Sequence, residues 1–566
     1  MKLIFYIFLF SNFLNFLGVF AEKIKENSSG INTLNWKKVE ENKSKTLKKI
    51  IWKSYKGDEN YFENVNKESF SLDEFSESKS KSSKIESSLW RNRMLRFSFE
   101  EIKMPDSGEF MGLYSIGAYE RLNSWLYGGI NLYGAATGRR GGFFTGGYTL
   151  GMEHRLFDNW ILDAGGYVGA GGGGAAAQGG GLMIRPHIGL KYDFSWSSLG
   201  LNYSYVDFPN GDIFSDAIAL SLDIPFTAPS LNWKIDGLTD ADYFGADLNN
   251  VSLHRSHLAA RVRAYYPSSH SKTNSGRSLN DSIEIVGVDY SYFLDRNWFA
   301  TFETAGAMTG GVGGYAELLG GIGYRLPLTK DDRLAILPAL TIGGAGGGDV
   351  KTGGGFVARA NLGLEYQLFP NLNMIVDGGY LTAPDGNFDT PYVGFNLAYV
   401  MQNYARDQKG APLTETDLIQ INKWRFRPAY QWYFDAQRKN SSPRDMQLLG
   451  GKLDWMAGDW WYLTGQGLSA YEGGAGGYSE GHWGVGVLGP RWKNWQLYGE
   501  MLIGAGGGGG VDSGSALIYK PSIGIEFNLN DDFSLQTGMG KVISKEGNLD
   551  ANTLDVSLVW RFGTPK

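Results

Sequence analysis

The six histidines, His154, His187, His254, His257, His270 and His482, and the absence of cysteine limit the chemistry open to this 566-residue chain. A hydrolase needs a nucleophile, a base and an orienting group brought together. None of the histidines recurs at equivalent places of the internal repeats, and GxSxG does not occur. Thiolate metal sites and a cysteine nucleophile are excluded, and little remains for zinc. We therefore expect no enzyme, no metal and no cofactor. The stretch from Asp240 to Asp247 looks faintly like a calcium loop, but Phe244 stands where an oxygen ligand is required. Residues 169–174 and 504–509 spell GxGxxG. The nucleotide reading requires a helix after the glycines, whereas a second strand pattern follows, and no Lys-Ser/Thr completes a P-loop. These glycines read as hairpin tips, flexible or closely packed.

The charged residues are the remaining candidates. Arg185, Arg359 and Lys520 occupy equivalent positions of three repeats. Arg261 with Arg263, and Arg425 with Arg427, share a face at the start of their repeats, as Arg96 does near the start of the first. With Asp163, His187, Lys191, Glu365 and Glu526 they are candidates to line a lumen. Two readings stand side by side. A basic ladder could draw anions or acidic glycans along a pore, or the bases could pair with Asp163, Asp193, Glu365 and Glu526 in a filling polar network. A net charge of −6 gives no case for nucleic acid.

The elements that must position these residues repeat three times. The stretches beginning at Trp160, Ala335 and Trp495 align through their glycine runs, and so do those beginning at Tyr205, Tyr380 and Lys541. The modules cover 91–227, 255–402 and 420–563, joined by linkers 228–254 and 403–419. Each divides into about eight runs with period-2 alternation, in module one near 93–102, 110–120, 124–134, 143–155, 160–171, 182–194, 198–206 and 215–226. Their lengths suit tilted strands crossing a bilayer. Around residue 185 one face holds Leu182, Ile184, Pro186, Ile188 and Leu190, and the other Met183, Arg185, His187, Gly189 and Lys191. Tight turns flanked by rings, such as 156–160 and 293–298, alternate with longer links. Short turns on one side, longer loops on the other and an aromatic girdle predict an all-β transmembrane antiparallel barrel. A soluble sandwich would show the same alternation but not the girdle and closure.

The last strand alternates Leu554, Val556, Leu558, Trp560 and Phe562 with polar residues and ends four residues before the final Lys566. It resembles the C-terminal signal strand of bacterial outer-membrane β-barrel proteins, and the runs at 188–194, 320–326, 362–368 and 523–529 look like strands of the small eight-stranded members of that superfamily. The resemblance implies fold and compartment, with outer-membrane lipid and the barrel-assembly machinery as partners, but no ligand. Met1 to Ala21 reads as a secretory signal cleaved after Ala21, an uncleaved anchor being the alternative. The Lys- and Ser-rich stretch 22–90 reads as a largely disordered periplasmic tail, with a possible periplasmic partner.

Eight strands per module allow one 24-stranded barrel or three tandem barrels. The long linkers and the small inward residues favour separate barrels; the greater frequency of single enclosing barrels favours one, and the single barrel is the expectation. The expected function is a channel or export pore for polar solutes or glycans. The alternative is a non-conducting surface barrel displaying its glycine-rich loops, with a tail that docks an envelope partner.

Overall fold

The computed structural model describes residues 90–565 apart from 106–107, 230, 232, 234–236, 415 and 515. The expected signal segment and the tail up to residue 89 lie outside the described residues. The first module supplies β1 (Trp90–Lys103), β2 (Phe110–Arg121), β3 (Leu126–Thr137), β4 (Phe144–Phe157), β5 (Trp160–Gly172), β6 (Leu182–Asp193), β7 (Ser198–Asp207) and β8 (Phe214–Pro229). The second supplies β9 (Ser252–Tyr265), β10 (Ile283–Phe293), β11 (Trp298–Ala307), β12 (Ala316–Tyr324), the two-residue β13 (Leu326–Pro327), β14 (Leu334–Gly346), β15 (Phe356–Phe369), β16 (Leu372–Thr382), β17 (Asp389–Ala405) and the short β18 (Ala411–Pro412). The third supplies β19 (Ile421–Ala436), β20 (Arg444–Met456), β21 (Trp461–Glu472), β22 (Ser479–Leu488), β23 (Trp495–Gly507), β24 (Leu517–Asn528), β25 (Phe533–Ser544) and β26 (Asp550–Pro565).

All pairings between neighbouring strands are antiparallel, and each module closes on itself. β1 pairs with β8, β9 pairs with both β10 and β17, and β19 pairs with β26. The expectation of a single 24-stranded barrel is therefore corrected: there are three eight-stranded barrels. The reason is non-local. Closure depends on whether the first strand of a module bonds to the last strand of the same module or to its neighbour's, and both choices satisfy the same alternation. Eight strands leave room inside only for side chains, which agrees with the interlocked arginines, carboxylates and tyrosines buried there.

The two ends of each barrel are built differently. On the short-turn side, side-chain carbonyls or carboxylates close Asx turns. Asn123 Oδ1 accepts from the Trp125 and Leu126 amides at 2.8 and 2.7 Å, Asp295 from Asn297 and Trp298 at 2.7 and 2.8 Å, and Asn530 from Asp532 and Phe533 at 2.9 and 2.8 Å. Exposed rings crowd beside such turns, among them Phe157, Phe194, Trp196, Trp298, Phe369, Trp460, Trp492 and Trp495. They are the girdle expected from the sequence. Between the two ends, Ile188, Leu201, Ile218, Leu340, Leu362, Val393 and Ile523 are exposed on the outer faces.

The barrels pack against one another. On the loop side the glycine hairpin tips of different modules interlock. The Gly141 amide donates to Gly353 O at 3.0 Å, and the Gly476 amide donates to Gly179 O at 3.0 Å. A Cβ on Gly314 would lie 3.5 Å from the Gly508 nitrogen. Of the two readings of these tips, close packing is the one observed. Farther toward the turns, an apolar cluster draws Ile130 and Leu132 from barrel one, Leu318 and Met401 from barrel two, and Phe426, Leu453 and Phe562 from barrel three.

The linkers form a small layer on the turn side. Helix α1 (Asp240–Phe244) starts at Thr239, whose hydroxyl accepts from the Asp242 amide while the Asp242 carboxylate reaches back to Thr239, a capping box. Those bonds hold the Asp242 carboxyl below its usual range. The calcium-like stretch is thus a helical turn running into a 3-10 segment. The first linker also bonds to the second and to the last strand. The Gly237 amide donates to Ile419 O at 2.9 Å, and Trp233 Nε1 donates to Phe562 O at 2.9 Å.

Candidate functional site: three closed lumens

All thirteen lumen candidates lie on inward faces, but they fall into three separate interiors. In barrel one, Arg96 holds Asp223 through two bonds of 2.7 and 3.0 Å and lies 3.1 Å from Asp163. Lys191 Nζ is shared among Glu153, Asp163 and Asp223 at 2.7, 2.9 and 2.9 Å. Arg185 grips Glu100 with a fork of 2.7 and 2.8 Å, and His187 Nε2 lies 3.4 Å from Asp163. A fork of this kind fixes both partners in direction as well as in distance.

Barrel two gathers Arg261, Arg263 and Arg359 around one carboxylate, Glu303. Arg263 reaches it at 2.9 and 2.6 Å, and Arg359 is also bonded to it. Arg261 additionally meets Asp289 at 2.7 Å. Glu365 does not join this group. It takes Arg325 at 2.7 Å, nearer the turns, with His257 at 3.6 Å. In barrel three, Arg427 bonds Asp454 at 2.7 Å, Glu500 at 2.5 Å and Gln536 at 2.6 Å. Arg425 and Arg561 share Glu526 at 2.7 and 2.6 Å, and Lys520 meets Glu480 at 2.8 Å.

Arg185, Arg359 and Lys520, equivalent in sequence, therefore meet Glu100, Glu303 and Glu480 in three different lumens and form no common ladder. Of the partners expected from sequence, Asp163, Glu365 and Glu526 are in the networks. Asp193 is not: it sits at the turn end, 2.6 Å from a half-exposed Arg155. The main acids that sequence reasoning passed over, Glu100, Asp223, Glu303, Asp454, Glu480 and Glu500, stand at inward positions of strands already recognised. Strand parity is the signal that could have found them.

Each lumen is closed a second time on the loop side. Phe143, Phe208 and Ile213 fold in from the loops of barrel one to join Met111, Leu113 and Met183. Leu279, Val312, Val350 and Phe388 do the same in barrel two, and Ala475, Val511 and Leu549 in barrel three. Burial of these side chains is favourable by roughly 25 cal/mol per Å² of apolar surface, so the corks contribute to stability as well as to closure.

Barrel two holds open space on its inner side. On its turn side a polar vestibule of about 280 Å³ is lined by Arg255, Arg325, Asp331, Asn373 and Gln402. Deeper lies a cavity of about 40 Å³ between His257, Phe293, Leu337, Thr341 and Arg359. Thr341 Oγ1 and His257 Nε2 are buried there without a protein partner, as befits a space for about three waters at 10–15 Å³ each. The comparable cavity in barrel one is about 10 Å³.

A closed antiparallel barrel of even strand number, apolar outside and ionised within, is the fold of bacterial outer-membrane β-barrel proteins. This chain carries that fold three times around a shared axis. No family description matches the sequence, and no curated protein matches it. Solved structures similar to it include a variant of the ferric enterobactin receptor PfeA from Pseudomonas aeruginosa, at 10% identity over 83% of this chain and 81% of the receptor, with a TM-score of 0.26. The siderophore receptor PirA from Acinetobacter baumannii matches at 11% identity over 84% and 80%, TM-score 0.26. OccAB3 from the same organism matches at 9% identity over 84% and 100%, TM-score 0.20.

Proposed function

We propose that the protein resides in a bacterial outer membrane as a closed three-barrel platform, with its turns, linkers and N-terminal tail in the periplasm and its glycine seams outside. The observation that carries this reading is the double closure of every lumen, by an ion-paired network in the middle and an apolar cork at the loop end. No standing water path crosses such a barrel. On this reading the N-terminal tail docks an envelope partner, and no catalytic role is included. The final strand fits recognition by the assembly machinery before folding, since Phe562 is 1% exposed once the barrels have packed.

The test is single-channel recording of purified protein in a planar bilayer. Electrical silence is expected, together with the shifted gel migration of an unboiled, folded barrel; large stable steps overturn the platform reading. A channel or export pore for polar solutes or glycans is the second reading, favoured by the vestibule and cavity of barrel two. Conduction there requires the Glu303 cluster and the Phe388 cork to part, and steps abolished by blocking the turn-side vestibule support it.

A further inference from the structure

Three cylinders packed side by side leave an interstice on their common axis, and here it is a cavity of about 130 Å³. Its walls are outer faces of the third and fourth strands of every module: Leu132 and Phe144 in barrel one, Thr304 and Leu318 in barrel two, Ser469 and Ser479 in barrel three. Gly142, Gly314 and Gly477 of the interlocked tips also border it. The apolar cluster with Ile130 and Phe426 continues the wall toward the turns.

Most polar groups around this space are already engaged, and Glu317 Oε2, which accepts no hydrogen bond, faces Arg263 at 3.6 Å inside lumen two. The Ser469 and Ser479 hydroxyls lie 2.8 Å apart, and Thr304 has its own partner. The carboxylates at the edge turn into their lumens. Glu317 receives Tyr265 and Tyr315 at 2.7 and 2.9 Å, and Glu480 receives Tyr433 and Tyr478 at 2.6 and 2.9 Å. Water needs two to four free polar partners, and an apolar cavity of about 150 Å³ stays dry and takes up a benzene-sized occupant. In a bilayer the apolar material that surrounds the barrels is hydrocarbon.

We propose that the axial cavity binds the end of a lipid acyl chain, enclosed as the three barrels come together, so that the lipid serves as a structural ligand of the assembly. The proposal rests on the membrane reading above. Gly306 provides the means to test it, because a Cβ there would meet only Tyr315 O at 3.6 Å. A leucine at 306 grows into the cavity and displaces its occupant.

The full chain and its Gly306→Leu variant are reconstituted into liposomes of phospholipid with dibrominated acyl chains, checked by flotation, extracted into detergent, washed, and analysed for retained bromolipid by mass spectrometry. Stoichiometric bromolipid on the wild type, lost from Gly306→Leu while its unboiled gel migration persists, is the expected result. Equal retention by both, or none by the wild type, overturns the acyl-chain site and leaves the membrane reading standing. Failure to float with liposomes overturns both. If Gly306→Leu does not fold, Ala505→Leu, on the opposite wall of the cavity, is read by the same criteria.

Discussion

The Tyr148 hydroxyl, on the outer face of barrel one, donates to the Gly450 carbonyl of barrel three at 3.0 Å. It joins two closed rings that share no strand pairing, so it reports on barrel packing rather than on barrel folding. Tyr148→Phe is expected to remove about 1 kcal/mol, seen as a lower temperature for loss of folded migration on gels. Tyr203→Phe, on an exposed outer position of β7, is expected to leave that temperature unchanged. Equal shifts in the two variants would refute the contact's role between barrels.

Arg427 lies at the centre of barrel three and serves Asp454 and Glu500 together. Arg427→Met leaves two buried carboxylates without their shared cation, and the expected loss is about 3–5 kcal/mol. Lys541 pairs with Asp550 on the surface, where both side chains are about half exposed. For Lys541→Ala the expected loss stays below about 1 kcal/mol. Urea unfolding of both variants in detergent gives the comparison, and similar midpoints would show that the lumen network is not structural.

Gly142 has φ of +87°, and a Cβ there would run into the Gly346–Gly347 backbone of barrel two. Gly276 has nearly the same φ, +89°, with open space around it. Both alanine variants carry the left-handed backbone penalty of about 1–2 kcal/mol, but only Gly142→Ala must also push two barrels apart. Limited proteolysis is expected to cut the loops of Gly142→Ala faster than those of Gly276→Ala.

Because the chain has no cysteine, single introduced thiols report solvent access without background. Gln402→Cys, in the vestibule of barrel two, is expected to react readily with a charged, water-soluble thiol reagent. Thr341→Cys lines the deeper cavity and is 1% exposed in the native residue; it is expected to stay unlabelled until the protein is denatured. Fast labelling of Thr341→Cys would mean that barrel two opens at rest and would move the balance toward the channel.

Much of the molecule is legible in the residues because the strand signal is local. Alternation at 182–193 separates Arg185, His187 and Lys191 from Ile184, Ile188 and Leu190 without knowledge of any neighbour. The same alternation marks the inward faces around Arg359 and Lys520, and the ring-flanked tight turns identify one end of the barrels. Chain-wide repetition then yields the eight-strand module.

Partnership across space is not written in that pattern. Arg185 meets Glu100 from β1, 85 positions away, and no alternation rule separates Glu100 from Asp193 as its acid. Whether β8 returns to β1 or passes on to β9 leaves every residue facing the same way, so one ring and three rings are equivalent in sequence; they differ only in which edge hydrogen bonds are made. The glycine tips carry the same lesson. Read singly they are permissive backbone, and only the meeting of three barrels, close enough to exclude a Cβ at Gly142, turns them into the seam that encloses the axial cavity.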